Sequence, residues 1–203
     1  MIHPDTELKF ISSEKGYGVV AKEFIPRGTI TWVQDELDRV LTIGQIAKMG
    51  KKYQYLVEHY CFRDNKGNYV LCWDHGKYVN HSFNSNCLTT PYNFEIAIRD
   101  IQPGEELTDD YGYLNIEQPF KALSEQGSER TVVYPDDLTR YFGQWDQQLQ
   151  SSITKLNDVE QPLKYLLPEK IKRRVHQIAK GKQPLESILN CYYQPEKEYY
   201  YEL

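Results

Sequence analysis

One polar cluster, followed after a gap by an acidic turn and a pair of tyrosines, constrains this chain more than any other feature. Lys77-Tyr-Val-Asn-His-Ser-Phe-Asn-Ser-Asn-Cys87 places Asn80, His81, Ser82, Asn84 and Asn86 within seven positions. Such a segment can hold a polar ligand with side-chain amides and backbone groups. Gly104-Glu-Glu-Leu-Thr-Asp-Asp-Tyr-Gly-Tyr113 then gives a Pro-Gly turn, a short strand and two tyrosines flanking Gly112.

The surrounding pattern is that of many short strands. Leu8–Ile11, Tyr17–Phe24 and Thr29–Val33 are apolar, β-branched or aromatic, with Ile25-Pro-Arg-Gly28 as a turn. Thr42 caps an expected helix over Ile43–Met49 that ends at Gly50, and Tyr53–Val57 is compatible with helix or strand. Asp64–Asn68 is a hairpin tip before a strand at Tyr69–Trp73. Cys87–Thr90 and Asn93–Arg99 form a strand pair around Pro91-Tyr92, and Glu106–Asp109 is a last short strand.

After residue 115 the pattern turns helical. Pro135-Asp-Asp137 starts a helix with Leu138, Tyr141, Phe142, Trp145 and Leu149 at helical spacing. Pro168-Glu169 opens another, with Ile171, Val175 and Ile178 on one face and Gly181 at its end. Pro184–Asn190 is expected to be a final helix, before an aromatic, acidic tail at Tyr192–Tyr201. The basic residues Lys170, Lys172, Arg173, Arg174, Lys180 and Lys182 read as the solvated side of an amphipathic helix. The expected division is a mainly β domain over residues 7–115 and a helical extension over 116–203.

Charge and cysteine content narrow the partners. The net charge is -5 and the pI about 5.6. Direct nucleic-acid binding is not expected, because it rests on clustered positive charge. A basic, lysine-rich protein or peptide is the better-matched partner. Cys61, Cys72, Cys87 and Cys191 form no C-x-x-C pair, which fits free thiols in a reducing compartment. The start Met-Ile-His-Pro-Asp-Thr-Glu has no basic region and no apolar run, so a secretory signal is not expected. No stretch approaches the roughly 20 apolar residues of a membrane span. The expected location is cytoplasmic, or nuclear or host-delivered by a route not visible in sequence. Oligomeric state is not legible.

Three pieces together resemble the signature motifs of the SET-domain protein-lysine methyltransferases. They are Lys15-Gly-Tyr-Gly18 with Ile25-Pro-Arg-Gly-Thr29, then Tyr78-Val-Asn-His-Ser with Asn86-Cys87, then Gly104-Glu-Glu-Leu-Thr with Asp110-Tyr-Gly112. The resemblance covers residues 7–115. It implies a mainly β SET fold (a β-clip with a pseudoknot), S-adenosylmethionine as cofactor and a protein lysine, such as one in a histone-like tail, as substrate. It implies that Lys15, Gly16, Tyr17 and Gly18 line the methionine end of the cofactor. By the same likeness Asn80 and His81 hold its ammonium and adenine parts. Tyr111 becomes the catalytic residue, touching cofactor and amine, with Tyr113 and Asp109 in the substrate channel.

Two departures stand out. Many relatives have a zinc-ligating cysteine where this chain has Phe83, and a cysteine cluster after the domain. Only Cys191 follows Cys87 here, so no zinc is expected. The C-terminal aromatics Tyr134, Tyr141, Phe142 and Trp145 are then candidates to close the site. Relatives also place Phe or Tyr where this chain has Asp109, which leaves the number of methyl groups open. A non-catalytic SET module that binds a peptide or protein is the alternative reading, and partner recognition by the helical part is a third.

Overall fold

The computed structural model describes residues 1–194. In chain order, β1 (Thr6–Ser12), β2 (Gly16–Ala21), β3 (Ile30–Val33) and β4 (Arg39–Leu41) lead into α1 (Ile43–Ile46) and α2 (Lys51–Tyr60). β5 (Cys61–Arg63), β6 (Tyr69–Leu71), β7 (Asn80–His81), β8 (Cys87–Thr89), β9 (Phe94–Ala97) and β10 (Thr108–Asp109) follow. β11 (Phe120–Lys121), β12 (Val132–Val133), α3 (Asp137–Ile153) and α4 (Glu169–Ala179) complete the regular elements.

Among the described residues the strands form five small sheets: β1-β2, β3-β9-β8, β4-β6-β5, β11-β12 and β10-β7. The β10-β7 pair is parallel and the rest antiparallel. Turn chemistry explains the hairpins. The Asp64 carboxylate accepts from the N–H groups of Lys66 and Asn68 at 2.9 and 2.8 Å, and Gly67 takes φ +79°, so β5 reverses into β6.

The helices around residue 50 differ from the sequence expectation. Thr42 does cap, in a reciprocal box with Gln45. The helix it starts lasts one turn, and Gly50 precedes α2 instead of ending α1. The Gln54 side chain explains the break: its amide donates to the Ile46 and Met49 carbonyls, which a continuing helix would have used itself. Tyr53–Val57 is helical. The final helix expected at Pro184–Asn190 is instead a single 3₁₀ turn, Ile188–Cys191, capped by Ser187. The last tyrosines of the tail lie outside the described residues.

The β and helical parts share a core. Leu138, Trp145, Leu149 and Ile153 of α3 and Val175 and Ile178 of α4 are buried in one cluster with Ile30, Leu88, Phe94 and Ile96. α3 thus lies against the β3-β9-β8 sheet, and the apolar stripe of the helix finds its partner there. A second cluster holds Val19, Ile25, Trp32, Val79 and Leu107.

A shared core predicts a single unfolding transition. Leu149→Ala, at a site with 0% exposure, is expected to cost about 2–5 kcal/mol in urea denaturation. Helical and tryptophan signals should shift together. Two separated transitions would contradict the shared core.

Candidate active site

The motif residues converge because β7 runs parallel to β10, with Asn80 opposite Thr108 and His81 opposite Asp109. Asn86 fixes this pairing. Its side chain is fully buried, donates to the Glu106 carbonyl at 2.8 Å and accepts from the Thr108 N–H at 2.9 Å. The Ser82 N–H donates to the Asp109 carbonyl at 2.9 Å.

A cavity of about 1090 Å³ opens beside this pairing. Lys15, Gly16, Tyr17, Asn80, His81, Asp109 and Tyr111 all line it, so the structure brings together seven of the nine residues expected from sequence. Gly18 stands just behind the wall. A Cβ there would come within 2.4 Å of Glu106 Oε1 and 2.8 Å of Ile11, so any larger residue would displace the Glu106 and Ile11 side chains from their places beside β2. The Asn80 amide donates to the Tyr17 carbonyl at 3.1 Å and to Glu106 at 2.7 Å, and Lys15 Nζ donates to Glu106 at 2.8 Å. β2, β7 and the Glu106 side chain are thereby tied into one wall.

Tyr113 requires a correction: it does not line the cavity. It is 1% exposed, its ring meets Trp145 edge-on at 5.2 Å, and its hydroxyl lies 3.0 Å from the Cys87 carbonyl and 2.9 Å from the Asp109 carboxylate. Gly112 separates the two tyrosines in a tight 3₁₀ turn, which sends Tyr111 to the cavity and Tyr113 to the core. The C-terminal aromatics Tyr134, Tyr141, Phe142 and Trp145 do not line the cavity either. The covering segment is 114–125, with Phe120 facing His81 and Tyr111.

His81 has a defined state. Its Nδ1 accepts from the Tyr111 N–H at 3.1 Å, which leaves the ring proton on Nε2. That Nε2 is buried and has no hydrogen-bond partner among the described residues. The rings of Phe83, Tyr111 and Phe120 surround it at centroid distances of 4.5, 5.4 and 5.5 Å. Burial, aided by the Arg130 charge, lowers its pKa to about 4. The Tyr111 hydroxyl donates to the Val79 carbonyl at 2.7 Å, and burial with the charges of Asp109 and Glu106 pushes its pKa up. At neutral pH both groups are uncharged.

Sequence reading missed Glu95, Trp32, Phe120 and Arg130. Glu95 had a signal: a carboxylate inside the apolar run Phe94–Ala97. Arg130 had none, because only the fold brings it over Phe83 at 4.5 Å and into contact with Asp110 and, at 2.6 Å, Asp137. Among the described residues, no group of three or more His, Cys, Asp or Glu is placed to hold a metal ion.

The SET domain family model matches residues 16–112. The histone-lysine N-methyltransferase ASHH2 of Arabidopsis thaliana is 29% identical over 120 residues, 53% of this chain and 7% of that protein. An H3 lysine-9 specific histone-lysine N-methyltransferase of Schizosaccharomyces pombe is 32% identical over 136 residues, 58% of this chain and 27% of that protein. The chain therefore spans at most 27% of the length of these two relatives. The crystal structure of the methyltransferase domain of human SETMAR aligns with a TM-score of 0.46 at 21% identity, over 67% of this chain and 59% of that one.

The His81 environment predicts an acid-side loss of stability. A depressed pKa contributes stability above the unfolded value of about 6.5 that is lost as pH falls towards 4, on the order of 3 kcal/mol. Side-chain NMR should show His81 titrating near pH 4. A midpoint near 6.5 would contradict the buried, neutral assignment.

Proposed function

We propose that residues 16–112, which match the SET domain family model, form a SET domain and that the protein is a protein-lysine N-methyltransferase that uses S-adenosylmethionine. The observation that carries this reading is the single cavity in which the Lys15–Tyr17 turn, Asn80, His81 and Tyr111 meet. Its donor set suits the cofactor. The unpartnered buried Nε2–H of His81 calls for an acceptor, and the aromatic rings around it suit a flat heterocycle. When bound, the cofactor supplies a methyl group on a positively charged sulfur.

The chain's own residues bind and position. Lys15, Gly16 and Tyr17 hold the methionine end, largely through backbone groups, with Gly18 behind them, while Asn80 and His81 hold the ammonium and adenine parts. Tyr111 keeps its phenolic proton, so it offers a neutral hydroxyl beside the target nitrogen. A free lysine amine has a pKa near 10.4 and must lose a proton before it can act as a nucleophile. Enclosure in the cavity disfavours its charged form. Rate enhancement then comes from positioning and electrostatics.

The substrate in this reading is a lysine in a basic protein segment, such as a histone-like tail. Support comes from the net charge of -5 and from Glu14, Glu58 and Glu125 around the cavity.

Tyr111→Phe, which also gives up the hydrogen bond to the Val79 carbonyl, is expected to stay folded with a melting temperature lower by a few degrees and to lower methyl transfer by about 100-fold, the scale for one lost active-site hydrogen bond. The measurement is incorporation of labelled methyl groups from S-adenosylmethionine into mixed basic proteins. Equal labelling by both forms would remove Tyr111 from its role.

A further inference from the structure

The cavity also holds a pair of carboxyl groups that the motif roles leave unused. Glu95 of β9 and Asp109 of β10 both line it, at 9% and 4% exposure, and they share a hydrogen bond. Trp32, 4% exposed and opposite Glu95 in the β3-β9 pairing, also lines the cavity, and its Nε1–H is buried without a partner among the described residues. A buried, paired acid facing a cavity is costly to stability. Nothing in the core packing requires it, since β9 is otherwise Phe94, Ile96 and Ala97.

We propose that the Glu95–Asp109 pair is the acceptor for the proton that the substrate amine must shed, which makes Asp109 a catalytic base and Glu95 its positioning partner. The proposal rests on the methyltransferase reading. An N–H bond of the incoming ammonium breaks, its electrons remain on nitrogen as the lone pair, and the proton bonds to an Asp109 carboxylate oxygen. After methyl transfer the product amine is again cationic, and Asp109 returns the proton to water in the cavity.

The surroundings favour this division of roles. Burial raises both carboxyls. Glu95 lies well above its usual range and keeps its proton, with which it donates to Asp109. Burial raises Asp109 above the usual carboxylate range, against the hydrogen bonds from Tyr113 and Glu95, which makes it a better base than a solvated aspartate. The groups facing the pair come from every packed element. β8 gives the neutral Cys87 thiol, the turn after β10 gives Asp110, Tyr111 and Tyr113, and the N-terminal ammonium exerts a weak pull on Glu95. Cys72 and His81 are neutral neighbours, their pKa values shifted by burial. No cation side chain pairs with either acid among the described residues, which leaves the pair open to a cationic substrate.

The test is the pH–rate profile of Asp109→Asn and Glu95→Gln under saturating S-adenosylmethionine with a lysine peptide. Asp109→Asn is expected to lower kcat about 100-fold at pH 7, within the range for general base catalysis, and to recover as pH approaches the amine's own pKa. The deficit should shrink on a peptide carrying aminoethylcysteine, whose amine is less basic. Glu95→Gln, which keeps a donor to Asp109, should shift the acid limb of the profile with a smaller loss of kcat. Melting temperature and its rise with S-adenosylhomocysteine check that each variant is folded and binds. A loss in Asp109→Asn that is equal at all pH values and on both amines overturns the base role, as does wild-type kcat in that variant. If Asp109→Asn does not fold, an acid limb unmoved in Glu95→Gln overturns it. A wild type that transfers no methyl group overturns the methyltransferase reading, and the proposal with it.

Discussion

Residues 80–81 and 108–109 are held side by side by a parallel pairing only two residues long, and the fully buried amide of Asn86 clamps that pairing to the Glu106–Thr108 backbone. So short a ladder has few hydrogen bonds of its own, so its geometry depends on the clamp and on the strands packed behind it. Everything that faces the cavity follows from it. The register sets Asp109 beside His81, the turn after β10 returns the Tyr111 N–H to the His81 ring at 3.1 Å, and the Tyr111 hydroxyl reaches the Val79 carbonyl before β7.

The helical part supports this arrangement from outside the cavity. α3 presses Trp145 onto Tyr113, and Tyr113 in turn hydrogen-bonds Asp109 and accepts from the Asp110 N–H. Arg130 joins Asp110 to Asp137 at the start of α3, with Phe83 on one side at 4.5 Å and Tyr141 on the other at 4.4 Å. Phe83 therefore serves as a platform for a guanidinium at a position where many relatives have a zinc ligand. A cation held by two carboxylates and two aromatic rings links the strand part to the helical part.

β1, β2, β3, β6, β8, β9 and β10, the hairpin tip at Asp64–Asn68, the polar cluster and the tyrosine turn were legible because each has local chemistry: alternation, turn residues or a motif; β4, β5, β7, β11 and β12, each two or three residues long, were not expected, and β11 and β12 fall in the part read as helical. The break at Gly50 was not, because it depends on the Gln54 side chain reaching back to carbonyls of the preceding turn. Tyr113 was misplaced for a related reason. Spacing tells that Tyr111 and Tyr113 are near each other, but the 3₁₀ turn decides which of them faces the cavity. The covering segment 114–125 was missed because it has little periodicity, whereas the aromatic stripe of α3 drew attention and turned out to serve the core. The acid pair was half visible: Asp109 departed from the family pattern, but only the fold shows Glu95 beside it.

The central claim is that this cavity receives S-adenosylmethionine through the Lys15–Gly18 turn, Asn80 and His81. The most direct measurement is the melting temperature of the intact protein across a concentration series of S-adenosylhomocysteine. At 100 times Kd the folded state gains about 2.7 kcal/mol, which for a chain of this size is a rise of about 5–10 °C. The account predicts that rise, saturating as a single site. A melting temperature that does not move at millimolar ligand would contradict it.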